Sequence, residues 1–331
     1  MSNGRCCFIA IALWMIPSVL SASCGSASCP LNNHRYLQAG FFNIMYSHEY
    51  INQDRLFIGS SRSYVGALPG EHDEVQTINQ RDILDLQFGL ADRVGISVAI
   101  PFITRQHDHI HHDGGGDTWE HWGFSGLGDV IVSGQYSLVV PSADFDPYLT
   151  VTAGVKLANG LTHVRNEKGE EAEVTIQPGT GSVDGIFGLY YRQPIASLPT
   201  LSGAYSALPL TAGISYQITG VGSSGYRFGN SLLVHVGTSY QFSSRANFLF
   251  QINGRFQGRA DVGSTGEPRE NTGGAWIFAS PGFSVDLAQN LSAYGYVQVP
   301  LFQNVNGIQQ TASYNLQLGL SASVGLLDKG N

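Results

Sequence analysis

Cysteine is scarce in this chain and is confined to one end of it. The 331-residue sequence has only four cysteines, which are Cys6, Cys7, Cys24 and Cys29. A disulfide between Cys24 and Cys29 would close only a short loop, and the stabilisation that a cross-link provides increases with the length of its loop. Packing and backbone hydrogen bonds must therefore stabilise almost the whole chain.

Charged residues are also sparse, at 13% of the sequence, and the excess of acidic side chains gives a net charge of -8 at pH 7. Binding to nucleic acid requires clustered Lys and Arg that neutralise phosphates, and the sequence has no such cluster. It also lacks a Gly-x-Ser-x-Gly motif that would indicate an activated nucleophile. These absences exclude nucleic acid as a partner and lead us to expect that the protein is not an enzyme.

Long hydrophobic runs are missing except near the amino terminus. The apolar stretch over 6–20 follows a basic residue and precedes small residues. Its length of about 15 residues is shorter than the roughly 20 of a spanning helix, and these features are typical of a cleaved secretory signal. We assign residues 1–28 to a signal peptide with its cleavage region and residues 29–331 to one domain. Acylation of Cys24 or Cys29, as in a lipoprotein, is the alternative.

The sequence instead contains paired runs in which apolar and polar residues alternate strictly. Successive side chains of a β-strand point to opposite faces, so each run predicts a strand with one apolar face and one polar face. The clearest pair flanks the short turn 91–93. Its apolar positions are Leu84, Leu86, Phe88 and Leu90 before the turn and Val94, Ile96, Val98, Ile100 and Phe102 after it.

Such runs recur along the chain, and short and long connections alternate between them. The predicted strands are 36–50, 78–90, 94–104, 127–140, 147–158, 181–192, 207–219, 230–242, 246–258, 274–287, 291–302 and 311–326. The predicted long loops are 51–77, 105–126, 159–180, 220–229, 259–273 and 303–310. We therefore predict an all-β fold, a transmembrane antiparallel β-barrel of about 12 strands with short periplasmic turns and long extracellular loops.

A soluble β-sandwich or soluble barrel would show the same alternation with its faces exchanged. In those folds the apolar face forms the core, whereas in a membrane barrel it contacts lipid and the polar face lines the lumen. The strand number and the loop asymmetry favour the membrane barrel and make outer-membrane lipid a partner. The last run, 311–326, contains no charge, as expected for a carboxyl-terminal strand that the barrel-assembly machinery recognises.

The polar faces of the predicted strands supply the candidate lumen residues. A charge that faces hydrocarbon costs roughly 2–4 kcal/mol near the midplane, so charged side chains within strands are expected inside. Such an interior can form a water-filled path whose charges set selectivity, or its charges can pair and close it. We favour a path for solutes. The lumen and selectivity candidates are Asp85, Lys156, Asp184, His235 and Arg255.

The predicted loop 105–126 is rich in histidine and carboxylate residues. Imidazole and carboxylate groups are ligands for Zn, Cu and Ni, and alternate residues of an extended segment share one face. Three consecutive glycines at 114–116 favour a flexible, solvated loop instead, and a pH-sensitive gate is a further alternative. The candidate metal ligands are His107, His109, His111, His112 and His121.

Several segments carry a resemblance to a known family. They are 88–102, the run Phe-Ser-Gly-Leu-Gly-Asp at 124–129, and 154–157 followed by 177–184. On these motifs the chain resembles the bacterial outer-membrane transporter-like family named after meta-pathway phenol degradation, whose barrel architecture is related to that of fatty-acid and aromatic-hydrocarbon channels. The resemblance spans about residues 35–326. It implies an outer-membrane location and the passage of small aromatic or hydrophobic compounds.

We therefore predict an outer-membrane channel or facilitator for small solutes that requires no cofactor. The competing hypothesis is a non-transporting surface protein that binds a divalent metal through the histidine-rich loop. Removal of residues 107–121 would distinguish the two. Loss of metal retention with intact permeability would indicate a separable binding loop, whereas changed permeability would indicate a gate.

Overall fold

The computed structural model describes residues 36–67, 72–113, 116–142, 146–166, 168–265 and 268–326. The predicted signal peptide over 1–28 lies outside these residues and stays a prediction. Helical structure in the described residues includes two short 3-10 turns, Ser223–Gly225 and Arg269–Asn271. No helix there has the length and apolarity needed to cross a membrane.

Most of the described chain belongs to one antiparallel sheet that closes on itself. The strands are β1 (Phe41–Ile58), β2 (Ser61–Ser63), β3 (His72–Ala91), β4 (Val94–Asp113), β5 (Gly116–Leu127), β6 (Ile131–Val139), β7 (Tyr148–Lys156), β8 (Asp184–Pro199), β9 (Tyr205–Ile218), β10 (Ser231–Ser243), β11 (Ala246–Gln257), β12 (Gly274–Ala288), β13 (Leu291–Val305) and β14 (Ile308–Gly325). Twelve of them form the barrel wall, which closes where β1 pairs with β14, while β2 and β5 are extra strands beside β1 and β4.

The apolar faces of the strands point outward and the polar faces point into the barrel. On β3, Leu84 and Leu90 are 37% and 52% exposed, whereas Asp85 and Gln87 are 6% and 2% exposed. Exposed Leu, Ile, Val and Phe form an outer band around the wall, and buried Ser, Thr, Asn and Gln line the interior. This inversion confirms the predicted transmembrane barrel, because a soluble barrel would bury its apolar face.

Two predicted long loops are largely strands in the structure. The range 51–77 contains the ends of β1 and β3, and the range 105–126 contains the end of β4 and most of β5. Beyond the apolar band, the outward positions of β4 include the polar residues Thr104, Gln106 and Asp108 before Ile110. These strand ends therefore lack the apolar alternation by which the sequence reveals a strand.

Most of the remaining connections keep the predicted asymmetry. Tight turns such as 244–245 join strands at one end of the barrel, and the long loops 157–183, 219–230 and 258–273 lie at the other end. The predicted loop 303–310 is wrong, because a two-residue turn joins β13 to β14. In barrels of this kind the short turns face the periplasm and the long loops face outward.

β5 and β6 lie one above the other along the same edge of β4. β5 pairs with the outer part of β4, and β6 pairs with its inner part. The chain leaves the sheet between them at 128–130. Asp129 in this break is 6% exposed, and the break places its carboxylate at the base of the long loop 157–183.

Candidate functional site: the barrel lumen

The long loop 157–183 folds back against the barrel interior. Its segment 172–178 is almost continuously buried, and Ala172, Ile176 and Gln177 are 3%, 7% and 5% exposed. Loops usually stay at the surface, because buried backbone groups must find hydrogen-bond partners. We call residues 172–178 the constriction segment, since its burial narrows the outer part of the lumen.

Two apolar clusters hold the constriction segment in place. On one side, Ile176 packs in a cluster with Trp122 of β5. On the other side, Val174 packs with Tyr226 and Ala260, which come from the other two long loops and are 0% exposed. Burial of apolar surface contributes about 25 cal/mol per Å². Three loops and one strand thus pack against one another at the outer end of the barrel.

Polar contacts also hold the constriction segment. Arg105 of β4 donates from Nη1 to the carbonyl oxygen of Thr175 over 3.2 Å. Gln177 donates from Nε2 to the carbonyl oxygen of Ala172 over 2.7 Å, and its Oε1 accepts from the backbone N–H of His163 over 2.6 Å. These bonds give backbone groups of the loop partners inside the barrel, which is the condition for burying them.

A buried ion cluster ties the base of the loop to the wall. Lys156 Nζ lies 2.6 Å from Asp129 Oδ2 and 3.2 Å from Asp184 Oδ2, and the three side chains are 9% exposed or less. Lys156 also donates to the carbonyl oxygen of Ser182 over 3.0 Å and to the hydroxyl of Thr180. Because buried charges are costly unless they are paired, this cluster fixes the end of β7 against the start of β8.

Asp129 is the member of this cluster that sequence reasoning missed. Its Oδ1 accepts from the Gly160 N–H over 2.9 Å, and its Oδ2 accepts from the Thr180 N–H over 2.9 Å and from the Thr180 hydroxyl over 2.6 Å. The available signal was an acidic residue directly after a glycine at the start of a predicted strand. Asp129 therefore holds both ends of the loop at once.

Two glycines allow the ends of the loop to touch. A Cβ atom on Gly179 would lie 2.5 Å from the carbonyl carbon of Gly160, and one on Gly160 would lie 2.7 Å from the Cα atom of Gly179. Cβ atoms do not approach other atoms so closely, so this crossing requires glycine at both positions. Residues 161–178 therefore form a loop whose flanking residues, Gly160 and Gly179, are in contact with each other.

The inner part of the lumen, nearer the short turns, is open. It holds a cavity of about 1000 Å³ that reaches the turns at Asp92 and Pro141. This volume is at the upper end of the range of small-molecule sites, about 300–1,000 Å³. The cavity lining is rich in rings, among them Tyr36, Tyr148, Tyr190, His235, Tyr294 and Tyr296.

Several of these rings lie against glycines of neighbouring strands. A Cβ atom on Gly319 would lie 2.3 Å from the ring of Tyr294, and one on Gly213 would lie 2.2 Å from the ring of His235. The rings of Tyr190 and His235 are stacked, with centroids 6.0 Å apart. The absence of a side chain at these glycines therefore keeps the rings against the wall and the cavity open.

The substitution Gly213→Ala should destabilise the barrel by about 1–3 kcal/mol, because the new methyl group displaces the rings of His235 and Tyr190. The measurement is the urea midpoint of the refolded protein. Gly134→Ala is the matched control, since a Cβ atom there meets no atom closer than 4.0 Å, and its effect should stay within about 0.5 kcal/mol. Equal midpoints for the two variants would contradict the packing argument.

The five lumen candidates lie within β3, β7, β8, β10 and β11 but have different surroundings. Lys156 and Asp184 are held in the ion cluster, and Asp85 is 6% exposed. Arg255 lies over an aromatic ring of β12, 5.3 Å from its centroid. Only His235 among these five lines the cavity. A role in selectivity stays a prediction for each of them.

The histidine-rich segment belongs to a β-hairpin, so its prediction as a loop is wrong. His107 and His109 on β4 are 0% and 8% exposed, and their ring centroids are 5.3 Å apart. His107 Nδ1 lies 2.8 Å from Thr77 Oγ1, and His109 Nε2 lies 3.3 Å from Glu120 Oε2. These two imidazoles therefore take part in the packing of β3, β4 and β5.

The other candidate metal ligands are distributed differently. His121 has an exposed side chain, and its Nδ1 lies 2.7 Å from Asp108 Oδ1. The backbone of His111 and His112 lies in β4. Within the part of the chain that the structure describes, no group of three or more His, Cys, Asp or Glu side chains could hold a metal ion. Metal binding by His107, His109, His111, His112 and His121 stays a prediction.

Comparison with known proteins shows likeness in fold. No family model and no curated protein matches the chain. An outer membrane channel from Pseudomonas putida F1 gives a TM-score of 0.59 at 13% identity, over 88% of this chain and 98% of that chain. The transport unit of the autotransporter AIDA-I from Escherichia coli gives a TM-score of 0.46 at 12% identity, over 89% of this chain and 92% of that chain. A FadL homologue from Pseudomonas aeruginosa gives a TM-score of 0.42 at 10% identity, over 95% of this chain and 99% of that chain. The chain thus shares the barrel fold of the Pseudomonas putida channel.

Proposed function

We propose that the protein is an outer-membrane channel for small solutes. The observation that carries this proposal is the open cavity of about 1000 Å³ inside the barrel, which is lined by wall strands and reaches the short turns. A barrel with a purely structural role does not require an internal cavity. The shared fold with an outer membrane channel supports the same conclusion.

We infer that small aromatic compounds are among the solutes, because the cavity lining combines rings with polar side chains such as Gln241 and Asn247. Tyr190, Tyr294, Tyr296 and His235 present rings to it, and pairs of aromatic rings contribute about 0.5–1.5 kcal/mol. Contacts of this strength are suitable for a conducting path, where binding must be favourable enough for entry and weak enough for release. Outer-membrane lipid around the apolar band and the barrel-assembly machinery are the partners that this function requires.

Solute flux into liposomes that contain the refolded protein tests this function. We expect phenol and small aromatic acids to enter faster than sugars, and we expect Tyr190→Ala to reduce that preference. Tyr136→Ala is the matched control, because Tyr136 is 46% exposed on the outer face. Absence of flux for every solute, with the barrel shown to be folded, would overturn the channel. Equal flux for all solutes would overturn the aromatic preference alone.

A further inference from the structure

A group of polar side chains lies on the outer, apolar face of the barrel. The Tyr46 hydroxyl donates to Asp82 Oδ1 over 2.5 Å, and His48 Nδ1 lies 2.9 Å from the same oxygen. Tyr46 is 43% exposed, and the side chains of His48 and Asp82 are 36% and 33% exposed. We call Tyr46, His48 and Asp82 the outer triad.

Exposed apolar side chains flank the outer triad. His48 is paired with Leu318 of β14, and Asp82 is paired with Phe102 of β4. Leu318 and Phe102 are 62% and 45% exposed, and Leu84, the next outward residue of β3, is 37% exposed. The outer triad is therefore part of the apolar band at this position of the wall.

Two tyrosines on the loop side of the outer triad indicate where the band ends. Tyr50, the next outward residue of β1 after His48, stacks with Tyr314 of β14 at a centroid distance of 6.3 Å. Tyrosines of this kind are enriched at the level of the lipid headgroups. The outer triad lies on the membrane side of them. Ionisable groups at such positions are costly when they face lipid, and they mark functional contacts.

We propose that the wall formed by β14, β1, β3 and β4 around the outer triad is the contact surface between two copies of this chain. Within one copy the Tyr46 hydroxyl and His48 Nδ1 bond to Asp82 Oδ1. A two-fold contact can therefore set His48 Nε2 of one copy, a donor when both ring nitrogens carry hydrogen, against Asp82 Oδ2 of the other. Both observed bonds go to Oδ1, and a carboxylate offers a second oxygen. Within lipid, close packing and interchain hydrogen bonds drive association, and the exposed leucines supply the packing surface.

Charge favours a second copy over an anionic lipid headgroup as the occupant. In the described strands, the outward positions of β1 over 42–52, β3 over 76–90 and β4 over 94–108 include Asp82 and Asp108 but no Lys or Arg. A phosphate at this surface would meet carboxylates without a cation to bind it. A second outer triad instead offers His48 Nε2 to the carboxylate of Asp82.

Cross-linking in intact outer membranes tests the surface, using the full chain with its native cysteines replaced by serine. Leu318→Cys should form a covalent dimer with a short thiol cross-linker, because Leu318 lies beside the outer triad. Phe283→Cys on β12 is the control, since Phe283 is similarly exposed at 60%, and it should stay monomeric. Cross-linking of both variants, or of neither, would overturn the proposal.

The substitution Asp82→Leu tests the chemistry of the contact. We expect the dissociation constant of the dimer to rise about 3- to 30-fold. It is measured by energy transfer between labelled copies in vesicles of varied protein-to-lipid ratio, after gel mobility has shown that the barrel is folded. An unchanged constant would contradict the proposal. The proposal would also be contradicted if the wild-type protein were monomeric and retained a bound lipid that the variant loses.

Discussion

The substitution Lys156→Ala should lower the free energy of unfolding by about 3–5 kcal/mol, because it leaves two buried carboxylates without their cation. The affected groups are Asp129 and Asp184, which lie 2.6 and 3.2 Å from Lys156 Nζ. The measurement is denaturant unfolding of the protein refolded in vesicles. Lys168→Ala is the matched control, since its side chain is 68% exposed and lies 3.9 Å from Glu120. Its effect should stay below about 0.5 kcal/mol.

A second variant separates charge imbalance from lost packing. The triple substitution of Lys156→Met, Asp129→Asn and Asp184→Asn replaces the whole ion cluster with neutral side chains of similar volume. Replacing a complete buried ion cluster is often far less costly than removing one of its members. We therefore expect the triple variant to be more stable than Lys156→Ala. The opposite order would show that the uncompensated charge is not the cause of the loss.

Excision of residues 161–178 should raise single-channel conductance and sugar flux several-fold, because it removes the constriction segment. The deletion joins Gly160 directly to Gly179, and these two residues are already in contact. The hydrogen bonds from Gly160 and Thr180 to Asp129 remain available, so the wall should keep its shape. The measurement is conductance in planar bilayers.

The control for this deletion is Glu170→Gln, which changes an exposed residue at the tip of the same loop and should leave conductance unaltered. Glu170 contacts Asn166 of its own loop and lies outside the constriction segment. Unchanged conductance of the deletion variant, with the barrel folded, would show that residues 172–178 do not limit the path. Flux would then be limited by the other long loops.

Much of the barrel wall can be predicted from sequence, because lipid and lumen impose opposite requirements on neighbouring residues. Between Leu84 and Leu90 these requirements produce the alternation, and the structure confirms the outward leucines and inward Asp85. The same rule placed Lys156 and Asp184 inside. It could not place Asp129, since the break between β5 and β6 interrupts the alternation and leaves the direction of that side chain undetermined.

The constriction could not be predicted, because its burial depends on distant partners. Ala172, Val174 and Ile176 alternate with polar residues over too short a run to indicate a fold, and Trp122 and Tyr226 make them a packed unit. The histidine-rich strands were not predicted as strands, for a different reason. Most of their outward side chains above the membrane are polar, so the sequence resembles that of a loop.

The residues directly before the constriction segment are solvated, as their polar sequence predicts. Glu171 lies in the exposed part of the loop, with its Oε1 2.6 Å from His163 Nδ1. The hydrogen bond from His163 holds the pKa of the Glu171 carboxyl below its usual range. The loop therefore changes from a solvated tip to a buried segment within a few residues.

The closure of the barrel has a consequence for the order in which the chain can fold. β1 pairs with β14 along nearly its whole length, from Phe41 opposite Gly325 to Ile58 opposite Ile308. The first described strand thus pairs with the last one, and a contact so distant in sequence forms slowly. Until then both strands are open edges on which other chains can assemble. Protection of these two edges from aggregation consequently depends on the pairing of β1 with β14.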